Sequence, residues 1–220
     1  MTERLLPTRL LFRFAVPCLY REPLWTAEGA ALGAEHRLPS LAQLDESRAF
    51  ADVRAAWSEA GLAFRVQVEG KRQAPWCREA RPDESDGLRI WIDTRDTHGI
   101  HRASRFCHQF VFLPLGSGQQ MAEPSGEPLL INRAKENPKP VRPGVLRVRS
   151  EKRVDGYLLE AYIPAAALTG FDPAEHPRLG FTYAVIDREL GDQTFSCGGE
   201  FSYQDDPSLW ASLELVRPGK

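Results

Sequence analysis

Strict alternation of apolar and polar residues is the feature that most constrains this chain. Over residues 62–68, Leu62, Phe64, Val66 and Val68 alternate with polar or small side chains. A period of two places the two sets on opposite faces of a β-strand, so this segment predicts a strand with one buried face. The same alternation recurs in residues 88–92, 106–112, 157–163, 181–185 and 209–215, and residues 11–16 are a seventh candidate.

Glycine-containing turns separate these segments, and helix signals are few. Asp-Gly pairs at residues 86–87 and 155–156 provide the positive φ that tight turns require. Only residues 44–50 and 164–168 predict short helical turns. Many short strands with few helices favour an all-β fold, a two-sheet antiparallel β-sandwich that takes residues 1–220 as a single domain. We expect its continuous core to contain Phe64, Ile90, Phe110, Leu159, Phe181 and Leu213.

A Pro-rich excursion over residues 114–144 interrupts this pattern. Connections of about thirty residues without regular structure are uncommon in compact domains, and they tend to be functional or mobile. Residues 129–131 are a candidate for a brief strand inside it. An ordered surface excursion with no partner and a functional segment both remain open.

Charge and hydropathy exclude several classes of partner. The chain has 28 basic and 30 acidic residues, so it lacks the positive field on which non-specific nucleic-acid binding depends. No apolar run reaches the roughly 20 residues of a membrane span. Pro7, Arg9 and Arg13 interrupt the apolar N-terminal segment, so we expect no signal peptide and a cytoplasmic location. The four widely spaced cysteines are expected to be reduced.

Several segments, taken in order, resemble a family 9 carbohydrate-binding module. Two of the longest read SDGLRIWID at residues 85–93 and DGYLLEAYIP at residues 155–164. The resemblance covers most of residues 8–217, and it implies a jelly roll of the DOMON-like kind. The segments that carry it are residues 56–57, 61–68, 76, 85–93, 155–164, 179–187, 191–193 and 206–215.

The resemblance also implies a sugar site formed by two aromatic rings. Sugar-binding members clamp a terminal sugar between two such rings, and the matching positions here are Trp76 and Tyr203, with Phe201 as the alternative to Tyr203. The strand motif begins at Asp86, and Arg89 stands where the family places a carboxylate that bonds sugar hydroxyls. Arg89 can still donate hydrogen bonds to hydroxyls, so we expect it near the rim of the site.

Two hypotheses for function follow, and the two rings discriminate between them. Exposed, facing rings at Trp76 and Tyr203 favour a saccharide-binding module, whereas buried rings favour a scaffold or protein-interaction domain that has lost the sugar site. In the scaffold case the partner is unknown, and the Pro-rich excursion is the first surface to test. The chain has no nucleophile elbow, Walker loop or dinucleotide fingerprint, so we expect no enzymatic activity.

The remaining polar residues offer weaker metal and cofactor hypotheses. Asp93, Asp96, His98 and His101 form a dense cluster that contains ligands for zinc or for a structural calcium ion. His108, which alternates with phenylalanines, is expected to be a hydrogen-bonded core histidine. Haem is not expected, because the only methionine inside the domain is Met121 in the Pro-rich excursion. We therefore expect no cofactor, with structural calcium as the one alternative.

Overall fold

Strands dominate the backbone in a computed structural model, which describes residues 13–41 and 49–217. In these ranges the helical elements are short 3-10 turns at Ala34–His36, Pro82–Glu84, Gln119–Met121, Ala165–Ala167 and Pro207–Leu209. The strands are β1 Ala15–Tyr20, β2 Ala51–Ser58, β3 Gly61–Glu69, β4 Gly87–Asp93, β5 Cys107–Ser117, β6 Glu123–Leu129, β7 Arg147–Arg153, β8 Gly156–Pro164, β9 Arg178–Asp187, β10 Gly191–Thr194 and β11 Ala211–Val216.

Hydrogen bonds join all of these strands into one sheet with the order β6-β5-β4-β9-β11-β1-β2-β3-β8-β7, and β10 pairs with β9. The all-β prediction is confirmed. The sheet has two halves, the β4 half (β6, β5, β4, β9, β10 and β11) and the β3 half (β2, β3, β8 and β7). Strand β1 joins them and runs parallel to both β11 and β2, so the prediction of a purely antiparallel arrangement is wrong at this strand. The division into two sheets and the jelly-roll topology stay predictions.

The two halves pack against each other through an inner core. Phe64 of β3 stacks on Phe181 of β9, with ring centroids 5.9 Å apart and an angle of 1° between the rings. Alternation explains this contact, because each strand directs every second side chain into the space between the halves. The six residues predicted for the common core all belong to this one cluster, namely Phe64, Ile90, Phe110, Leu159, Phe181 and Leu213.

The outer face of the β4 half is covered by a second, outer core. Every residue of β4 is buried, including those that point away from the inner core. Trp91 is fully buried. The physical reason is that loops fold back over this face and supply apolar side chains of their own. The buried residues of the outer core are Trp91, Ala103, Cys107, Ile131, Ala184, Cys197, Tyr203 and Trp210.

A shorter segment, residues 21–38, covers the outer face of the β3 half. Its Leu24 and Leu32 pack with small residues of β2 and β3. Glu160 of β8 anchors the segment, because its carboxylate accepts a hydrogen bond from the Ala31 backbone N–H at 3.1 Å. Gly29 has a φ of +99°, and a Cβ atom there would overlap the Glu160 carboxylate. This close approach therefore requires glycine.

The Pro-rich excursion is partly ordered as edge strand β6, which pairs with β5. Strand β6 is longer than the brief strand expected at residues 129–131, and it begins earlier in the chain. Gly126 of β6 approaches β7 so closely that a Cβ atom would lie 2.7 Å from Val148 Cγ2. The free edges of the two halves therefore lie side by side. Proline at two positions of β6 is compatible with an edge strand, which needs fewer ladder donors.

Other local predictions have mixed outcomes. The helical turn expected over residues 164–168 is present at Ala165–Ala167. Residues 11–12 of the first strand candidate and residues 44–48 of the other helical candidate lie outside the described residues, and the first strand begins at Ala15.

The four cysteines all lie in the described ranges and are buried, and none forms a disulfide. Within those ranges no helix has the length and apolarity needed to cross a membrane.

Candidate functional site

The loop between β3 and β4 borders a surface depression of about 260 Å³ that contains Trp76. The Trp76 ring is half-buried, and Gln73 beside it is exposed. An accessible aromatic ring next to polar groups is the composition that a saccharide site needs. We call this depression the Trp76 site, and it is lined by Lys71, Gln73, Ala74, Pro75, Trp76, Asp86, Arg188 and Glu189.

Asp86 holds the two sides of the Trp76 site together. Its Oδ2 accepts the Trp76 backbone N–H at 3.0 Å, and its Oδ1 accepts the Arg188 backbone N–H at 2.9 Å. The Asp86 backbone N–H in turn donates to the Trp76 carbonyl at 2.9 Å. Asp86 is buried, with 1% of its surface exposed. Its predicted contact with a ligand stays a prediction, and in the structure its hydrogen bonds fix the backbone on both sides of the site.

A buried ammonium group compensates the charge of Asp86. Lys71 Nζ lies 3.5 Å from Asp86 Oδ2 and closer still to Asp187, while Glu189 Oε2 is 3.9 Å away. Glu189 also accepts backbone N–H groups from Arg72 and Gln73, which lower the pKa of its carboxyl group. No local pattern in the sequence reveals Lys71, because only the fold brings it to Asp187 and Glu189, more than a hundred residues away.

A planar cation lies on the Trp76 ring. The Arg188 guanidinium carbon is 3.5 Å from the ring centroid, which is a stacked cation–π contact. Arg188 is exposed, and within the described part of the chain its guanidinium forms no ion pair with a carboxylate. The ring therefore has a face that accommodates a flat group at van der Waals distance.

Arg89 does not lie at the rim of a site, so that expectation is wrong. It is buried, and its Nη2 donates to the backbone carbonyls of Pro82, Asp83 and Ser85. Burial lowers the pKa of its guanidinium group. Arg89 points away from the inner core, as alternation predicts, but the turn at Pro82–Glu84 folds over it and uses its donors.

Tyr203 is buried in the outer core, so the predicted exposure of this ring is wrong. Only 2% of its surface is exposed, and its ring packs edge-on against Trp91 with centroids 5.4 Å apart. The Trp210 indole N–H donates to the Tyr203 carbonyl at 2.7 Å. Phe201 is half-buried against the same cluster. The ring that was expected to face Trp76 is therefore used in packing, whereas Trp76 borders a depression.

A second depression, about 450 Å³ in volume, shares Lys71 and residues 73–75 with the Trp76 site. Its other walls are the β7–β8 hairpin and residues 114–124 of the Pro-rich excursion. Tyr157 of β8 lines it, and the buried Tyr157 hydroxyl has no hydrogen-bond partner. Burial raises the pKa of this hydroxyl. We call this depression the hairpin depression.

The proposed metal ligands do not converge. Both Asp93 carboxylate oxygens accept backbone N–H groups of the following turn, from Arg95 at 3.0 Å and Thr97 at 2.7 Å. Asp96 contacts His98, whereas His101 pairs with Asp206 at the other side of the turn. In residues 13–41 and 49–217 no three His, Cys, Asp or Glu side chains are arranged to hold a metal ion. These carboxylates are bonded within the protein, and structural calcium stays a prediction.

His108 has the core role expected for it. It is buried on the inner face, stacks on Phe110 and accepts the Thr169 backbone N–H on Nε2 at 3.0 Å. Trp57 and Trp210 are also buried, each 3% exposed. None of these three side chains is accessible to a ligand.

Comparison with known proteins gives matches only among solved structures. No family model and no curated protein matches the chain. A family 9 carbohydrate-binding module from Caldicellulosiruptor kristjanssonii in complex with cellotriose is 14% identical, with a TM-score of 0.59 over 94% of this chain and 96% of that one. The same kind of module from that organism with glucose is 13% identical, with a TM-score of 0.59 over 94% and 98%.

A putative carbohydrate-binding protein from Bacteroides uniformis is also similar, at 14% identity and a TM-score of 0.49 over 76% of this chain and 78% of that one. The first two matches span almost the whole length of both chains, whereas sequence identity is too low to carry residue roles across. The chain has the fold of a family 9 carbohydrate-binding module.

Proposed function

We propose that this protein binds a saccharide at the Trp76 site and catalyses no reaction. The observation that carries the proposal is the Arg188 guanidinium, a flat group stacked 3.5 Å from the centroid of a half-exposed tryptophan ring. The C–H face of a sugar ring packs on an aromatic ring in the same manner. The fold supports the proposal, since its structural neighbours were solved with cellotriose and glucose.

In this proposal the sugar ring takes the place of the guanidinium on Trp76. An exposed cation–π contact contributes only about 0.5–1 kcal/mol, so Arg188 can move aside at small cost. Its N–H groups and the exposed Gln73 amide then bond sugar hydroxyls. Asp86 keeps the backbone of Trp76 and Arg188 in place during this exchange, because it binds their N–H groups and not their side chains.

A single aromatic platform replaces the two-ring clamp in this proposal, because Tyr203 is buried. Single-platform sites bind sugars weakly unless polar groups at the rim contribute. The proposal also includes the finer predictions of a single domain with a DOMON-like, two-sheet jelly roll and of a cytoplasmic protein without nucleic-acid or membrane partners.

Calorimetric titration with cellotriose and with glucose tests the proposal. Trp76→Ala should abolish binding of any sugar that the wild type binds, while its free energy of unfolding changes by less than about 1 kcal/mol. Trp25→Ala is the matched control, because Trp25 is also half-buried but packs near Tyr162 on the outer face of the β3 half. Loss of binding in Trp25→Ala with full binding in Trp76→Ala would place the site on that other face.

A scaffold or protein-interaction domain is the second candidate function, and the burial of Tyr203 favours it. The Pro-rich excursion supplies a surface for a partner, since Leu130 directly after β6 is 69% exposed. A broad glycan screen that finds no ligand for the wild-type protein would support this alternative over saccharide binding. A glycan whose binding is lost in Trp76→Ala would exclude it as the main function.

A further inference from the structure

We propose that the hairpin depression binds a carboxylate-bearing sugar unit, such as a uronate, of the same saccharide that stacks on Trp76. This inference rests on the proposed function and deepens it, because it assigns the ligand to the acidic saccharides. Three properties of the depression carry it: the exposed cations that line it, its apolar side chains and its position next to the Trp76 site.

The rim of the hairpin depression is positively charged. Lys71, Arg72, Lys152 and Arg153 line it, and no acidic residue does. Lys71 is outnumbered by its carboxylate partners Asp86, Asp187 and Glu189, so it adds no net positive charge, and Arg153 pairs with Glu151 at 3.3 Å. Arg72 and Lys152 are exposed, and neither side chain forms an ion pair within the described ranges, although the Glu189 carboxylate accepts the Arg72 backbone N–H. Two exposed cations outside ion pairs at one cavity favour an anionic ligand.

The floor of the hairpin depression is apolar. Pro75, Pro114, Leu115 and Pro124 line the same depression as the cations and contribute C–H surface to it. A small inorganic anion gains nothing from such a floor, because it has no apolar surface to bury. A uronate ring presents both a C–H face and a carboxylate, so its two sides match the floor and the rim. A neutral sugar matches only the floor.

The two depressions adjoin along residues 71–75. Lys71 and residues 73–75 line both of them, so in this proposal an oligosaccharide that stacks on Trp76 places its next units in the hairpin depression.

Calorimetric titration at low ionic strength tests the inference. The two ligands are trigalacturonate and cellotriose, which are both trisaccharides but differ in charge. The wild type should bind trigalacturonate about tenfold more tightly, because charge-assisted hydrogen bonds are stronger than neutral ones. The double variant Arg72→Gln/Lys152→Gln should lose that tenfold advantage and keep its affinity for cellotriose. Added salt should weaken only trigalacturonate binding. The control is Arg142→Gln, because Arg142 is exposed and lines neither depression.

The outcomes separate this inference from the proposed function. Equal affinity of the wild type for both trisaccharides would overturn the acidic-sugar assignment and leave saccharide binding intact. Failure of both to bind would overturn both proposals. If inorganic phosphate or acetate competes for Arg72 and Lys152 as strongly as trigalacturonate does, the depression is a general anion site and the sugar assignment is wrong.

Discussion

The inner core and the outer core contain similar aromatic residues, but they are built in different ways. The inner core has strands on both sides, so Phe64 from one half stacks on Phe181 from the other. The outer core has strands on one side and loops on the other, so Trp91 of β4 meets Tyr203 of a loop. Alternation along a strand tells which face a residue occupies. Whether a face is covered depends on loops whose path alternation does not describe.

The largest effect should come from the inner core. Phe181→Ala removes a ring that contacts Phe64, Tyr183 and Phe195. Because strands on both sides cannot collapse into the cavity, we expect a loss of about 3–5 kcal/mol in the free energy of unfolding, measured by denaturant titration. A loss below about 1 kcal/mol would mean that the two halves are not packed as described.

The outer core should tolerate the equivalent truncation better. Tyr203→Ala leaves a cavity next to Trp91 and Trp210, but the loop that carries Tyr203 can relax into it. We expect a loss of about 2–3 kcal/mol, since the cost of a cavity depends on how well its walls collapse. The same denaturant titration compares it with Phe181→Ala, and a larger loss for Tyr203→Ala would reverse the ranking of the two cores.

A pH titration tests how strictly the inner core excludes charge. Burial lowers the pKa of His108 from 6.5 to about 4. The unfolded chain therefore binds a proton below pH 6.5 that the folded protein does not, so this stabilisation is complete above pH 6.5 and is lost as the pH falls towards 4. Between pH 7 and pH 5 we expect His108 to lower the free energy of unfolding by about 2 kcal/mol.

His108→Gln isolates this contribution, because glutamine can still accept the Thr169 N–H but does not titrate. The wild type should lose more stability than this variant between pH 7 and pH 5. Parallel pH profiles for the two proteins would show that His108 is hydrated or protonated in the folded state.

The smallest effect should come from a residue that belongs to neither core. Val154 at the tip of the β7–β8 hairpin is fully exposed, with a relative exposure of 106%. Val154→Ser should change the free energy of unfolding by less than about 0.5 kcal/mol in the same denaturant titration. A substantially larger loss would indicate that Val154 is covered in solution, for instance by a second copy of the chain.

Whether a strand could be predicted from the sequence depends on the same difference between the inner core and the outer core. Strands β3, β4, β5, β8, β9 and β11 were predicted from alternation, and each faces the inner core. Strand β2 was missed because Ala55 and Ala56 blur the contrast between its faces, and both are buried. Strand β6 was missed because its two prolines are typical of a loop. Alternation does not reveal a strand when both of its faces are covered. It also does not reveal an edge strand that needs few backbone hydrogen bonds to a neighbour.

The candidate site was predicted only in part. Trp76 was found through the resemblance to family 9 carbohydrate-binding modules, and its position outside every alternating segment is compatible with exposure. Arg89 was misplaced because the turn at Pro82–Glu84 folds over it, and Tyr203 because the loop that carries it packs on the outer face of β4. Lys71 was missed because its partners are distant in sequence, with Asp187 separated from it by 116 residues. Local patterns identify exposed loops, and long-range charge pairing becomes visible only in the fold.

The contacts of Asp86 have a consequence for how such a site can diversify. A single carboxylate anchors the chain at Trp76 and at Arg188 through main-chain N–H groups, which every residue except proline possesses. The side chains at positions 76 and 188 can therefore be exchanged without dismantling the frame that presents them. Selection or a combinatorial library can vary the ligand preference at these two positions, while Asp86 and Lys71 preserve the architecture.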